Sequence, residues 1–509
     1  MLLDLTYCLF LIFFVFISFS CIGFYFSSKL SQDNSSYLIS YFIGKSFFIF
    51  NLVLFYNFLN LFLFETNLIF FSFAFICFIL LTIKKREFLK KILVLFFKFY
   101  FPIIFILFLI TFLYEINFYV FRGNHWDWIS QISMGLVFNE NDYQEFLKIA
   151  NFELSRNIVS LKNQIGIPFE KSYYFFSISG IEIGHRLIPS QLLGSFFLVK
   201  NLNIFLLAFT LKVLIFSSIF PAYYYFLNSF STTISKLNTY FLSFVFSIST
   251  WSFYLFENDA LAQLIVFSLS IVFFSLILKI FLEKNQNKIN LYLLSIVASA
   301  LFLTYPEQAI VIMFAGFLFF LIHLRSIFLN NDFYIALGIF VILISKDLIE
   351  YINLSINMST ASNDWWGYFG SYLLGKENLV LDKGSVLQIK EIINNQENSI
   401  LYKLKNIFDL HILNGYYLIP LTIIPSLVGF YFLSNPAFSI LNLLFLVPFN
   451  LIIIYFLIKN LKYLLLNNTN ELKFIKFFTT FSVLLIIIFA FRNQLYISIK
   501  LIYFFSLFF

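Results

Sequence analysis

The sequence predicts an all-α, polytopic transmembrane protein. Of its 509 residues, 61% are hydrophobic and only 12% are charged, whereas soluble domains carry about 25% charged residues. Apolar stretches of roughly 18 or more residues recur along the chain, and each can cross a hydrocarbon core of about 30 Å as a helix. Backbone groups inside a bilayer must bond within their own segment, which favours helices. Because no soluble-length segment separates the spans, residues 1–509 are predicted to form a single membrane domain.

Charge and cysteine content exclude several classes of protein. The net charge of +7 is modest and spread along the chain, so it indicates membrane topology and not nucleic-acid binding. The three cysteines, Cys8, Cys21 and Cys77, lie in apolar spans without paired or metal-ligand spacing. Neither a disulfide framework nor a zinc site is therefore indicated. The first 27 residues lack a basic start and are too long for a signal peptide, so they are predicted to be a membrane helix.

The orientation of the spans follows from residues 84–91, which contain five cations in eight residues and end an apolar run. The positive-inside rule assigns this cluster to the cytoplasm. Counting backward gives an external N-terminus, and counting forward makes residues 118–188 a long outer loop. The first four spans are predicted within 2–117, near 2–27, 38–64, 67–83 and 97–117.

The count continues through the central spans, predicted within 189–348. The first two predicted spans lie near 203–226 and from about 239 toward Trp251, and the next runs on to the inner cluster at 279–288. A span near 290–304 follows, then a helix that starts at Tyr305-Pro306-Glu307, and then a span near 333–348. A second outer loop follows at 349–415, and further spans at 416–509. In this last part the count puts Lys459 to Lys476 outside, against the charge rule. The total is about 12–14 helices, and amphipathic helices are expected in the outer loops at 140–163 and 384–409.

The five tryptophans fall in three polar interruptions, all predicted on the outer side. In the first, Asp127 lies between Trp126 and Trp128, directly after a membrane span. Partial desolvation at that depth raises the pKa of a carboxyl group and makes it a better base, so Asp127 is the catalytic candidate. The alternative is that the indoles are interfacial belt residues and Asp127 caps the next helix.

Further candidate residues lie at the outer ends of other spans. Glu257, Asp259 and Glu307 are candidate acidic partners, although acids at helix N-termini are also explained by capping. Arg122, His185 and Arg186 are candidates for binding a lipid phosphate, with plain anchoring to headgroups as the alternative. Asp364, Trp365 and Trp366 are typical of a sugar platform or, equally, of an interfacial loop anchor. Trp126 and Trp128 are candidates for the same sugar or acceptor platform. No histidine pair has metal-ligand spacing.

This layout resembles the GT-C superfamily of membrane glycosyltransferases. The matching features are an Asp after an outward-going helix (Asp127), an amphipathic stretch in the same loop, later outer acids at Glu257, Asp259 and Glu307, and a second long outer loop. The resemblance covers roughly residues 97–350. It implies a polyprenyl-phosphate-linked sugar as donor and a glycan, lipid or protein as acceptor, among the membrane lipids of the bacterial inner membrane.

The resemblance also implies a mechanism. Asp127 would deprotonate the acceptor hydroxyl, the anomeric centre would invert, and the lipid phosphate would lie near Arg186 or His185. No cofactor is required, although a divalent metal could bind through Asp127 with Glu257 or Asp259. Two alternatives stay open: a surface-polysaccharide polymerase or ligase, and a transporter or lipid flippase. A transporter needs ionisable residues near mid-span, where Lys45, Lys98 and Lys212 are the main examples.

Overall fold

A computed structural model describes residues 2–30, 35–85, 87–113, 126–145, 187–197, 203–230, 235–248, 252, 255–256, 261–283, 288–360 and 469–491. Every regular element in these ranges is helical, which confirms the predicted all-α class. The chain falls into two compact units, residues 1–347 and 348–509.

The N-terminal helices agree closely with the first three predicted spans, whereas the fourth span, predicted near 97–117, begins at Phe88. They are α1 (Leu2–Leu30), α2 (Ser35–Asn51), α3 (Leu63–Lys84), α4 (Phe88–Leu95), α5 (Phe101–Leu113) and α6 (Trp126–Glu140). Two π-helical segments interrupt them, the first (Leu52–Phe58) continuing α2 and the second (Phe96–Tyr100) joining α4 to α5. Helix α4 begins at Phe88, so the last two lysines of the basic cluster lie in its first turn.

The later helices are α7 (Leu187–Phe196), α8 (Ile204–Ser217), α9 (Ile219–Ser229), α10 (Lys236–Ser247), α11 (Leu261–Leu282), α12 (Lys288–Thr304), α13 (Pro306–His323), α14 (Asn331–Thr360) and α15 (Asn470–Phe491). A 3-10 helix, Arg325–Leu329, joins α13 to α14. Helix α15 belongs to the second unit, where Phe474 and Phe478 lie with ring centroids 4.7 Å apart.

Seven helices in the described ranges are long and apolar enough to cross a membrane. They are Thr6–Ser27, Tyr37–Phe58, Leu63–Lys84, Phe88–Leu109, Ile204–Ser229, Leu261–Leu282 and Pro306–His323. Large apolar side chains on α3, such as Phe75 and Ile83, are exposed, as lipid-facing residues are. The predicted total of 12–14 spans extends over residues that the structure does not describe.

Helices α1 and α2 pack in direct backbone contact through two glycines. A Cβ atom on Gly23 would lie 1.7 Å from the carbonyl oxygen of Ser40, and one on Gly44 would lie 1.8 Å from that of Phe19. Small residues allow this close approach, which strengthens helix pairing where lipid removes the usual hydrophobic driving force. The tight α1–α2 hairpin forms one wall of the bundle.

Helix α11 is the central helix of the first unit, because nearly all of its side chains are buried. Lys45 of α2 is also buried, and its Nζ donates a hydrogen bond to Ser268 Oγ of α11 at 2.8 Å. The Nζ atom also lies 5.5 Å from the centre of the Phe42 ring. An intramembrane lysine is thus held inside the bundle and away from lipid.

Residues predicted on the inner side form two separate sets of contacts in the structure. Lys85 Nζ lies 4.8 Å from the ring centre of Phe24, which joins the end of α3 to the end of α1. Lys288 at the start of α12 forms a 3.1 Å ion pair with Asp332 at the start of α14, and Tyr292 donates a 2.8 Å hydrogen bond to the same carboxylate. The bond from Tyr292 and that from Lys288 lower the pKa of Asp332.

Three element boundaries differ from the sequence expectations. Residues 118–188, predicted as an outer loop, contain α6 and the start of α7. Helix α10 ends at Ser247, before the predicted outward turn at Trp251; its 12 residues rise only about 18 Å at roughly 1.5 Å per residue, less than a membrane core. Helix α14 continues to Thr360, past the predicted end at 348.

Candidate functional site

Four buried amide side chains surround the connection between the first π-helical segment and α3. This amide cluster consists of Asn51, Asn57, Asn67 and Gln191. Gln191 Nε2 donates to Asn57 Oδ1 at 2.7 Å, which ties α7 to the π-helical segment. Asn67 Nδ2 donates to the carbonyl of Ser195 at 2.9 Å, a second link from α3 to α7. Paired amides satisfy each other inside an apolar bundle, where an unpaired polar group is costly.

The residues just after α6 are hydrogen-bonded to Tyr56 and Asn60, beside this cluster. Tyr56 donates its hydroxyl to the carbonyl of Asn141 at 2.9 Å, and the Gln144 amide donates to Asn60 Oδ1 at 2.8 Å. Asn60 has a φ of +56°, a left-handed conformation that asparagine tolerates better than most residues. The turn between the second and third spans is therefore built to hold residues 141–145.

Lys346 of α14 reaches the same place. Its Nζ donates a hydrogen bond to the carbonyl oxygen of Asn57 and lies 4.9 Å from the ring centre of Tyr143. The charge count predicts that the second span ends on the outer side, that residue 143 belongs to an outer loop, and that α14 runs outward. The contacts bring all three to one end of the bundle, as that count requires.

Helices α6 and α7 cross at a pair of glycines. A Cβ atom on Gly194 would lie 2.5 Å from the carbonyl oxygen of Gly135 and 2.9 Å from a methyl carbon of Leu63. The neighbouring residues of both helices are largely buried. Helix α6, from the predicted outer loop, and α7, which begins at the end of that loop, are therefore part of the packed bundle, beside the start of α3.

Five buried side-chain oxygens in this region have no hydrogen-bond partner in the described part of the chain. They are Thr66 Oγ1, Asn67 Oδ1, Gln131 Oε1, Asn139 Oδ1 and Gln191 Oε1. A buried polar atom of this kind needs an explanation, since leaving it unpaired costs about 1–3 kcal/mol. Because these five oxygens lie on three helices that pack against one another, α3, α6 and α7, we take this interface as the candidate functional site, able to accept hydrogen bonds from hydroxyl groups. Other unpaired buried atoms of the described residues, on Ser20, Tyr41, Tyr100 and Gln308, lie on separate helices.

The candidate base lies on one of these helices. Asp127 is the second residue of α6, in the first turn with Trp126 and Trp128. It lies one helical turn before Gln131, and residues four apart share a helix face. This position also fits the capping alternative. Helix α6 thus joins the predicted base and two of the five buried oxygens in one element.

The other predicted site residues divide into two groups. Glu307 lies in the first turn of α13, directly after Pro306, where a negative charge complements the helix dipole. The remaining candidates lie outside the described residues: Glu257, Asp259, Arg122, His185, Arg186, Asp364, Trp365 and Trp366. Among the described residues, no group of three His, Cys, Asp or Glu could hold a metal ion.

Sequence reasoning missed Lys346 and the amide cluster. Lys346 ends an apolar stretch of α14 and could have been found as a cation within a span. The amides were harder to find, because an isolated Asn or Gln in an apolar run gives no sign of its partner. Asn57 and Gln191 are separated by more than a hundred positions, and only the packing of α7 on the π-helical segment joins them.

The helices and their exposed apolar faces define an integral, multi-pass membrane protein. No protein-family model, curated protein or solved structure matches the chain.

Proposed function

We propose that this protein is a membrane glycosyltransferase that moves a sugar from a polyprenyl-phosphate-linked donor to a glycan, lipid or protein acceptor. The carrying observation is the set of five buried oxygens on α3, α6 and α7. Sugars present many hydroxyl donors, and a site built to bond hydroxyls discriminates strongly for them. The proposed location is the outer face of a bacterial inner membrane, where the charge count assigns this end of the bundle.

The proposed reaction needs one base. Asp127 takes the proton of the acceptor hydroxyl as its oxygen attacks the anomeric carbon, and the bond from that carbon to the lipid phosphate breaks. The phosphate leaves with the bonding electrons as a stable anion, and the anomeric centre inverts. No cofactor is required by these steps, and a divalent metal held by Asp127 with Glu257 or Asp259 would act by stabilising the leaving phosphate.

The test is the Asp127→Asn variant, assayed in membranes with a lipid-linked sugar donor. General-base catalysis contributes about 10²–10⁴-fold, so sugar transfer is expected to fall by at least about a hundredfold at unchanged protein level. Asp332→Asn is the matched control, because it removes one carboxylate at the predicted inner end. Gln131→Leu should raise the acceptor KM with a smaller effect on kcat, since it removes a ground-state hydrogen bond.

Full transfer by D127N at normal expression would eliminate Asp127 as the base. Equal losses in D127N and D332N would point to a folding defect in place of a catalytic role. A polymerase or ligase of surface polysaccharide would give the same D127N result, but its products would be chains or joined glycans, which product sizing separates.

A transporter or lipid flippase is the second candidate, favoured by one observation. Lys45 and Lys212 are both about 1% exposed and lie within the bundle on α2 and α8. Ionisable residues inside a membrane often mark a substrate or ion path. Movement of a substrate across vesicles without sugar transfer would support this candidate over the glycosyltransferase.

A further inference from the structure

Lys98 differs from the other two lysines predicted near mid-span, because it lies on the surface of the bundle. Lys45 and Lys212 are about 1% exposed, whereas Lys98 is an exposed residue. It belongs to the second π-helical segment, within a span that runs from Phe88 to Leu109. A cation in a membrane span is costly unless water or an anion meets it. The surroundings of Lys98 therefore indicate what satisfies its charge.

Three aromatic rings hold the ammonium group of Lys98 in place. Its Nζ lies 5.3 Å from the ring centres of Phe99 and Tyr240 and 5.8 Å from that of Tyr224. Tyr240 also donates its hydroxyl to the backbone carbonyl of Lys98 at 2.8 Å. The ring faces attract a cation but carry no net negative charge. Within the described residues, the ammonium group is thus positioned without an anionic partner.

A shallow recess of about 700 Å³ runs along one face of α4 and the second π-helical segment. Four apolar side chains line it, with a lysine near each end: Leu89, Lys90, Leu93, Val94, Phe97 and Lys98. Val94 is 55% exposed and Phe97 58%, and apolar surface of this kind on a membrane-spanning bundle faces lipid. The recess therefore offers a hydrocarbon surface between two cations.

Lys90 also lacks an anionic partner, in contrast to the next residue of the basic cluster. Lys91 Nζ lies 3.4 Å from a carboxylate oxygen of Glu87. Lys90 is exposed, and no ion pair or hydrogen bond joins its ammonium group to another described residue. Two positive charges that the described residues leave uncompensated thus flank the same recess.

The depth of the two lysines fits a phospholipid headgroup. Lys90 lies in the first turn of α4, in the cluster predicted at the inner surface. Lys98 follows eight residues later, about 12 Å further at roughly 1.5 Å per residue, and helical side chains lean back toward the N-terminus, here toward Lys90. Tyr240, which contacts Lys98, lies only four residues after Lys236 at the start of α10, in the predicted inner turn. Both ammonium groups can therefore reach the headgroup layer.

We propose that this recess binds an anionic phospholipid of the leaflet on the predicted inner side, with its phosphate between Lys90 and Lys98 and an acyl chain on Val94 and Phe97. Charge complementarity selects the occupant, because basic sites on this side of a membrane favour anionic headgroups. The phosphate oxygens accept charge-assisted hydrogen bonds from both ammonium groups. The site lies on the predicted inner side and Asp127 on the predicted outer side, so this binding goes beyond the proposed sugar transfer and does not depend on it.

The experiment uses the full chain purified in detergent, with phosphatidylglycerol, phosphatidylcholine and inorganic phosphate added separately. Native mass spectrometry reports retained lipid, and thermal unfolding reports stabilisation. Phosphatidylglycerol is expected to remain bound and to raise the Tm. Lys90→Gln and Lys98→Gln are each expected to weaken its binding by about fivefold, the contribution of one basic residue at an anionic leaflet. Lys236→Gln, an exposed lysine on the same predicted side but outside the recess, is the matched control and should respond like the unmodified protein.

Two variants separate the loss of charge from a folding defect. Lys98→Arg keeps the positive charge and should retain phosphatidylglycerol, whereas K98Q should not. Lys90 has no side-chain partner to lose among the described residues, so K90Q should fold with an unchanged Tm in the absence of lipid.

A further pair tests the hydrocarbon part. Val94→Trp fills the recess and should reduce lipid retention, whereas Ile83→Trp, at an exposed position of α3 outside the recess, should not. Equal retention of phosphatidylcholine, an unchanged response in K90Q, or an unchanged response in V94W would overturn the proposal. Stabilisation by inorganic phosphate equal to that by phosphatidylglycerol would overturn the choice of occupant.

These outcomes are independent of sugar transfer. Lipid binding that depends on Lys90 and Lys98 without any transferase activity would leave the lipid site standing and remove the proposed function. Transferase activity in a protein that does not retain phosphatidylglycerol would do the reverse.

Discussion

Lys45 shows how one polar residue is accommodated inside this bundle. Its Nζ donates to Ser268 Oγ, while the Ser268 hydroxyl itself donates to the carbonyl of Ile265 at 3.2 Å. The serine therefore keeps a partner if the lysine is removed, but the lysine loses its side-chain acceptor if the serine is removed. The two substitutions should have unequal costs.

Lys45→Met is expected to leave the thermal stability unchanged or higher, because an apolar side chain of similar length removes the cost of burying an ammonium group. Ser268→Ala should lower the free energy of unfolding by about 1–3 kcal/mol, since it leaves a buried donor unpaired. Thermal unfolding in detergent measures both. K45M should also retain sugar transfer; loss of transfer with an intact fold would contradict a purely structural role for Lys45.

For single residues, the sequence predicts which side chains are candidates for the site better than it predicts what surrounds them. Asp127 could be singled out because two indoles flank it, and its place in the first turn of α6 agrees with the capping alternative as well as with catalysis. The burial of Gln131 and the partner of Gln191 could not be predicted, because both depend on which helices pack against each other. A lone amide in an apolar run has the same local sequence pattern whether or not its side chain is buried against another helix.

Two helical glycines differ sharply in the space around them: Gly44 packs against another helix, whereas Gly338 does not. Gly44 faces the backbone of α1, so Gly44→Ala would force a methyl group to 1.8 Å from a carbonyl oxygen. The helices must separate, and the loss should exceed the usual cost of overpacking, about 1–3 kcal/mol. Gly338 of α14 has nothing within 4 Å of the same position, so Gly338→Ala should be neutral or gain about 0.5–1 kcal/mol in helix propensity.

Thermal unfolding and yield of folded protein in detergent compare these two variants directly. A Gly44→Ala protein as stable as Gly338→Ala would contradict the close α1–α2 contact.

At the scale of elements, hydropathy predicted the long spans such as α3 and α11 well. It missed α6 and α7, because α6 mixes apolar residues with Gln131, Ser133 and Asn139 and gains its buried environment from the Gly135–Gly194 crossing.

Across the whole first unit, the charge count and the observed contacts give one consistent arrangement of ends. Lys85 contacts the ring of Phe24, Lys288 pairs with Asp332, and Lys346 lies with Asn57 and Tyr143. Positive-inside counting suits this scale because it sums many charges, and the orientation that it gives stays a prediction. It fails after residue 416, where the helix boundaries themselves were uncertain from hydropathy.

Cysteine labelling tests the orientation. Lys90→Cys and Glu145→Cys replace exposed residues at the predicted inner and outer ends. The native Cys8, Cys21 and Cys77 are at most 1% exposed, so background should be low. A membrane-impermeant maleimide should label E145C in intact cells and K90C only after permeabilisation. Labelling of both from one side would contradict the proposed arrangement of the spans.

The π-helical segment at Leu52–Phe58 has a consequence for how this chain tolerates changes in length. A π-helical turn holds one more residue than an α-helical turn, and each residue of an α-helix advances by about 100° around the axis. The wide turn therefore absorbs one residue: deleting one residue of the segment before Tyr56 would restore an ordinary helix and leave Tyr56, Asn57 and Phe58 near their present phase. Deleting one residue from the α-helical part of α2 would instead turn these three side chains by that angle, away from Asn141, Gln191 and Lys346.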